Sequence, residues 1–209
     1  MNSKERDFNR DAAQWDTPPR ISLAKKIAST IINKNIITKN SDIMDFGCGT
    51  GLLTLQLSPL AGSVTAVDSS ISMLEILNRK IVGNNITNVR SELKNPEIDQ
   101  LEGTYDVVVS NMTLHHIKDI SSLIRQFYRV IKYNGFLYLA DLDLDDGQFH
   151  SDNTGVFHFG FDRDELWKFF TEAGFKNISA ETATTITKPA GSDQTPRQFT
   201  IFLFGGQKV

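Results

Sequence analysis

The chain has 209 residues, 40% of them hydrophobic and 22% charged, with a net charge of −3 and one cysteine. That size suits one domain with appendages, the apolar share excludes a largely disordered chain, and one cysteine excludes an internal disulfide framework. The charged first residues lack a signal-peptide core, no run reaches the ~18 apolar residues of a membrane span, and a pI near 5.8 gives no basic footprint for nucleic acid.

Residues 1–17 form a polar arm carrying two large hydrophobes, Phe8 and Trp15. Pro18-Pro19 open a segment whose Ile21, Ala24, Ile27, Ala28, Ile31 and Ile32 recur at helical spacing. Ile43 to Phe46 reads as a short strand running into Gly47-Cys48-Gly49-Thr50-Gly51, and Leu52, Leu53, Leu55 and Leu57 then make a short helix ended by Pro59. A second strand, Ser63 to Val67, ends at Asp68, and Ser72-x-x-Glu75 has the form of a capping box for a helix with Met73, Leu74 and Leu77. Ile86 to Arg90 is a weak third strand and Tyr105 to Ser110 an apolar fourth. Asp119 starts a helix bearing Ile120, Leu123, Phe127, Val130 and Ile131, with Asn134-Gly135 as its stop, and Phe136 to Ala140 is the fifth strand. Asp162 to Glu165 begin a helix that passes Phe169 and Phe170 and ends at Gly174. Ile178 to Thr185 and Phe199 to Phe204 follow with only a loop between them, so they should pair antiparallel.

Strands alternating with helices predict an α/β fold, a mostly parallel sheet with helices on both faces. Ligands in such sheets lie beyond the carboxyl ends of the strands, where the strand order reverses. Gly47, Gly49 and Gly51 occupy that position after the first strand, where a backbone without Cβ atoms can approach a ligand and free helix N–H groups can face an anion. Asp68, ending the second strand, can accept both hydroxyls of a ribose. A dinucleotide fingerprint needs glycine at position 52, where Leu52 stands. Asp45, two residues before the first glycine, would repel a pyrophosphate and attract an ammonium group, which suits a nucleoside cofactor with an amino-acid end.

With DFGCGTG at 45–51, TAVDSS at 65–70, YDVVVSNMTLHHI at 105–117, RVIKYNGFLYLAD at 129–141 and DELWKFFTEAGF at 164–175, the chain resembles the class I S-adenosylmethionine-dependent methyltransferases. The resemblance implies a Rossmann-like seven-stranded sheet whose last strand is antiparallel. It implies S-adenosyl-L-methionine as cofactor and S-adenosyl-L-homocysteine as product. Asp45, Gly47, Cys48, Gly49 and Gly51 would hold the methionine portion, Asp68 with Ser69 the ribose, and Met73 the adenine, while Asn111 would line the methionine side. The Gly-Asp-Ala-like turn of many members is replaced by Ser91-Glu92-Leu93, so Glu92 and Leu93 stand in for its adenine contact.

All four histidines fall between positions 115 and 158 and follow the fourth or fifth strand. Removing a proton from a hydroxyl or ammonium acceptor needs a base, and neutral imidazole suits that task near pH 7. His115 and His116 are therefore the candidate catalytic residues. Trp15, His150, Phe157 and His158 are candidate substrate contacts, with the 142–161 insertion covering the acceptor and Phe8, Trp15 and Arg20 closing over the cofactor. The acidic run Asp141, Asp143, Asp145 and Asp146 lacks the glutamate of a calcium loop, and Ser110-Asn111 supplies no acid after the fourth strand, so no metal is expected. The exocyclic-amine, pyrimidine-C5 and arginine methylators each carry a motif missing here. The expectation is one methyltransferase domain over 1–209, with residues 1–35 as arm and helix. It would be cytoplasmic, a monomer or homodimer without membrane or nucleic-acid partners, methylating O, N or C of a small molecule. A non-catalytic cofactor-binding sensor or partner subunit is the alternative, and a protein methyltransferase the lesser one.

Overall fold

Side chains alternate sides along a strand, and in the central strands both sides are apolar. In β4 (Tyr105–Asn111) Val107 and Val109 enter one core while Val108 enters another, the pattern of a strand covered on both faces. The computed structural model describes residues 6–95, 98–190 and 194–209; the first five residues of the expected arm lie outside these. The first core is closed by α2 (Pro18–Ile32), α3 (Thr54–Leu57) and α4 (Ile71–Gly83), through Ile27, Ile31, Leu57, Leu74 and Leu77. The second is closed by α5 (Ile120–Val130) and α6 (Arg163–Ala173), through Leu123, Phe127, Leu166 and Phe170.

The sheet has seven strands. From one edge they run β3 (Val89–Leu93), β2 (Ser63–Asp68), β1 (Asp42–Phe46), β4, β5 (Ile131–Leu142), β7 (Thr195–Gln207) and β6 (Lys176–Ala190). The first five are mutually parallel, and β7 runs antiparallel to both neighbours. The chain leaves β1 toward β2 and β3, then returns to the other side for β4 and β5, so the crevice where the order reverses opens between the carboxyl ends of β1 and β4.

Several boundaries differ from the sequence expectation for identifiable reasons. Helix α4 is capped by Ser70, whose hydroxyl accepts from Met73 N; Ser72 lies inside the first turn and donates its N–H to Asn9 Oδ1. Helix α5 stops at Val130 rather than at Asn134-Gly135. Ile131 already pairs with Tyr105, and the register then shifts so that Phe136 pairs with Val107, placing Asn134 and Gly135 in an irregular start of β5. The third strand lies three residues later than expected because Val89 to Leu93 pair with Val64 to Asp68, while Ile86 closes the turn after α4 through Ile81 O. β6 and β7 extend well beyond Ile178–Thr185 and Phe199–Phe204, and their far ends pair from Thr185 to Ala190 beyond the body of the sheet. No helix among the described residues is long and apolar enough to cross a membrane.

Candidate active site

A cavity of about 780 Å³ opens over the carboxyl ends of β1, β2 and β4, a volume in the range of sites that enclose small ligands. Its floor is the glycine loop. Gly47 sits at φ +68° against Thr113, where any Cβ would overlap that side chain, and Thr113 Oγ1 donates to Gly47 O at 3.2 Å. The loop is held by its own N–H groups. Gly47 N and Cys48 N donate to Val67 O, Gly51 N to Cys48 O, and Gly49 N to Asp68 Oδ2 at 2.7 Å. The helix that follows has four residues. Donors that the sequence would assign to an anionic group are therefore spent inside the protein, and the site offers acceptors instead.

Three acceptors converge there. Asp45 is buried at the end of β1 and accepts from Thr54 Oγ1 at 2.5 Å. Burial pushes its carboxyl up to about 7, against the Thr54 hydrogen bond and helped by the charge of Asp68. Asp68 is also raised by burial, opposed by the N–H groups of Ser70, Gly49 and Ser69. Asn111 Oδ1, at the end of β4, is buried without a protein partner, and the next residue, Met112, is held at φ +56°. Strained backbone beside an unsatisfied buried oxygen is the signature of a ligand site. Two carboxylates and one orphaned amide oxygen, with the Gly47, Cys48, Gly49 and Gly51 amides already bonded, fit a ligand that presents an ammonium group and hydroxyls. They do not fit a pyrophosphate.

The arm closes this floor from above. Short α1 (Phe8–Asp11) is pinned by Asn9 Oδ1, which accepts from Ser70 Oγ at 2.9 Å. Asp16 accepts from Thr50 Oγ1 and pairs with Lys80 at 2.6 Å. Trp15 thereby lies over Gly49, and the Arg20 guanidinium stacks on Trp15 at 3.9 Å.

The histidines gather on the acceptor side. His115 is 1% exposed, and its Nδ1 lies 2.7 Å from Asp141 Oδ1. Asp141 is fully buried at the end of β5 and also accepts from Leu142 N at 2.8 Å. Burial alone would raise that carboxyl, but the charge and hydrogen bond of His115 together with the Leu142 N–H hold it below its ordinary value. The ionised acid fixes the proton on Nδ1 and leaves Nε2 as the basic nitrogen of a ring that lines the cavity. His116 donates from Nδ1 to Gly155 O at 2.7 Å, and burial, then repulsion from His115, lowers it to about 4. His150 completes the cluster with its ring 4.9 Å from that of His115. Burial and the neighbouring histidines lower it to about 3, and its buried Nε2 has no partner. Among the described residues no group of three or more His, Cys, Asp or Glu is arranged to hold a metal ion.

Most of the sequence candidates line this one cavity: Asp45, Gly47, Cys48, Gly49, Asp68, Ser69, Met73, Asn111, His115, His116, Trp15, His150 and Phe157. Gly51 supports the loop from below against Leu77. Glu92 and Leu93 do not reach the cavity. Glu92 pairs with Arg90 at 3.1 Å and Leu93 is exposed; Lys94 and Asn95, one turn of chain further, take the lining position. His158 also leaves the site: its Nε2 donates to Ile117 O, and it lines a small separate cleft against α5. Cys48 keeps its thiol protonated, pushed well up by burial and the nearby carboxylates. Sequence reasoning missed the wall formed by Thr184 to Lys188 of β6, because only the length of the hairpin carries it there. It also missed the partnership of Asp141 with His115.

A doubly wound sheet with a closed glycine loop and convergent acceptors at its switch point defines a binder of a nucleoside that carries an amino group. The match of a family model described as methyltransferase domain to residues 21–182 then places the chain in the class I S-adenosylmethionine-dependent methyltransferases, and it is an enzyme of that family. An uncharacterised methyltransferase of Schizosaccharomyces pombe is 29% identical over the whole chain and 81% of its own length. A malonyl-[acyl-carrier protein] O-methyltransferase of Bacillus anthracis is 31% identical over 65% of this chain, which spans only about half (51%) of that relative. Among solved structures, a complex of DhpI with SAH has a TM-score of 0.73 at 18% identity, covering 96% of this chain and 92% of that one. A SAM-dependent methyltransferase from Aquifex aeolicus has a TM-score of 0.70 at 16% identity, covering 96% and 98%.

Proposed function

We propose that the chain methylates a hydroxyl oxygen of a small-molecule acceptor, with His115 as the general base and Asp141 as the residue that positions it. The observation that carries this reading is the buried His115–Asp141 pair, whose free imidazole nitrogen sits on a ring facing the cavity of the glycine loop. When bound, S-adenosyl-L-methionine supplies an electrophilic methyl group on a sulfonium. Asp45 and Asn111 would hold its ammonium end and Asp68 its ribose hydroxyls, while Met73 and Trp15 flank the purine and loop. Most of the acceleration then comes from holding the reactants in line, and the arm and the 142–161 insertion exclude water around them.

His115 takes the hydroxyl proton on Nε2, and the resulting imidazolium is stabilised by the ionised Asp141. The 142–161 insertion fixes the base from behind, because Phe157 N donates to His115 O at 2.8 Å. His116 and His150, neutral at pH 7, present lone pairs without competing for the proton. Relatives named as malonyl-[acyl-carrier protein] and ubiquinone biosynthesis O-methyltransferases support oxygen as the acceptor atom.

The test is turnover of S-adenosylmethionine with a panel of small alcohols and phenols, read as S-adenosylhomocysteine release. His115→Gln and Asp141→Asn should each lower kcat by about 10²–10⁴-fold while S-adenosylhomocysteine binding stays within about twofold. Wild-type turnover in both variants would remove the base from the mechanism.

A further inference from the structure

The chain is acidic overall, yet the acceptor end of its cavity is lined by cations without acidic partners. Arg20 and Lys26 reach it from α2 and Lys188 from β6. Among the described residues none of the three has a carboxylate within ion-pair distance. Arg20 uses its guanidinium to stack on Trp15 and to donate to Trp15 O at 3.1 Å. Lys26 Nζ donates to Thr184 Oγ1 at 3.3 Å. Lys188 Nζ donates to Phe149 O and sits 3.9 Å over the Phe149 ring. The acids whose charge reaches them are engaged elsewhere: Asp145 near Lys188 accepts from Gly147 N and Gln148 N, and Asp11 and Asp16 near Arg20 pair with Arg6 and Lys80.

Arg20 and Lys188 are half-buried, and like charges held in one cavity without a carboxylate in direct contact cost stability. Burial lowers both, with repulsion from Arg6 at Arg20 and from Arg20 at Lys188, against the charges of Asp11 and Asp16 at Arg20 and of Asp145 at Lys188. Arg6 itself is neutralised by Asp11 at 2.7 Å. Lys188 is joined to the base by continuous ring contacts. Lys188 covers Phe149, Phe149 meets His150 at 4.9 Å, and His150 meets His115 at 4.9 Å. Along that run lies the unpartnered His150 Nε2.

We infer that the acceptor carries an oxyanion, a carboxylate or phosphate, and that Arg20 and Lys188, with Lys26 at the rim, bind it while the hydroxyl to be methylated lies at His115. The inference rests on the proposed reading of His115 for the position of the hydroxyl, and on the cavity alone for the anion. Three successive contacts, Lys188–Phe149, Phe149–His150 and His150–His115, separate the anion site from the base, so the acceptor carries its oxyanion and its hydroxyl at opposite ends.

The test is calorimetric binding to the full chain saturated with S-adenosylhomocysteine, using 4-hydroxybenzoate, inorganic phosphate and neutral 4-hydroxybenzamide as probes. At least one anion should bind, and the benzamide should bind at least about tenfold more weakly than the benzoate or not at all. Lys188→Gln and Arg20→Gln should each weaken the bound anion by about tenfold or more, the size of a lost charge-assisted hydrogen bond. Lys188→Arg should restore it, and that variant also controls for loss of packing on Phe149. Which anion binds identifies the carboxylate or the phosphate as the recognised group. Failure of both anions to bind, equal binding of the benzamide, or anion affinity unchanged in both glutamine variants overturns the inference. Failure of the methyl-transfer reading would show separately, as loss of turnover dependence on His115 with anion binding intact.

Discussion

The carboxyl of Asp45 is held at about 7 in the fold and returns to about 3.9 in the unfolded chain. Asp45→Asn keeps an acceptor for the Thr54 hydroxyl and removes the titration. The sign follows from linkage: an acid raised in the fold contributes stability that is complete below its unfolded value and lost as pH rises through its folded value. Above pH 7 the ionised, buried carboxylate carries a shift of about three units, a cost of about 4 kcal/mol. From pH 5.5 to 8.5 the part that titrates is about 2 kcal/mol, which in a chain of this size is about 4–8 °C in Tm. Thermal unfolding at the two pH values should show the wild-type midpoint falling by that much more than the Asp45→Asn midpoint. His116 and His150 titrate in both proteins and cancel in the comparison. If, as proposed, S-adenosylhomocysteine places its ammonium at Asp45, its stabilisation at pH 8.5 should be larger in the wild type than in the variant. A midpoint difference between pH 5.5 and 8.5 that is the same in both proteins to within about a degree would refute the burial argument.

Three further outcomes follow from the loop and the arm. Gly47→Ala forces a Cβ onto Thr113 at positive φ, so it should cost about 1–2 kcal/mol of backbone strain plus about 1–3 of overpacking. Urea unfolding should show this loss, and Thr113→Ala in the same background should return part of it. Asp68→Ala removes the acceptor of Gly49 N and the proposed ribose partner, and should weaken S-adenosylhomocysteine by about tenfold or more in calorimetry; unchanged affinity would remove Asp68 from the ribose. Trp15→Ala takes away the ring over Gly49 and the platform of Arg20, and stopped-flow release of S-adenosylhomocysteine should quicken by about three- to tenfold.

The parallel half of the fold was legible because its signals are local. Ile43 to Phe46, Ser63 to Val67 and Tyr105 to Ser110 are apolar runs that only a doubly covered strand can bury, and Asp119, Asp162 and Gly174 cap helices by direct side-chain or backbone chemistry. Errors fell where tertiary pairing overrides local preference. Asn134-Gly135 has the composition of a helix stop, yet Ile131 leaves α5 earlier to pair with Tyr105. Ser72 and Glu75 match a capping box, yet Asp68 takes Ser70 N and sets the start of α4 at Ser70.

The floor of the cavity was legible for the same reason: Asp45, the glycines and Asp68 are adjacent in sequence or end neighbouring strands. Its polarity was not, because only the hydrogen bonds to Val67 O and Asp68 show that the loop amides are already used. The acceptor end is built differently, from segments with no sequence relation. His115 follows β4, Asp141 ends β5, His150 lies in the insertion, Arg20 opens α2 and Lys188 lies far along β6. In sequence Asp141 is one acid of the Asp141–Asp146 run weighed as a metal site, and nothing marks Lys188, which falls in the loop expected between the last two strands. Packing alone turns the first toward an imidazole and leaves the second half-buried without an acid. Arg20 and Lys188, cations without an ion pair on the wall of this cavity, would find a counter-charge in an anionic acceptor even though the chain as a whole is acidic.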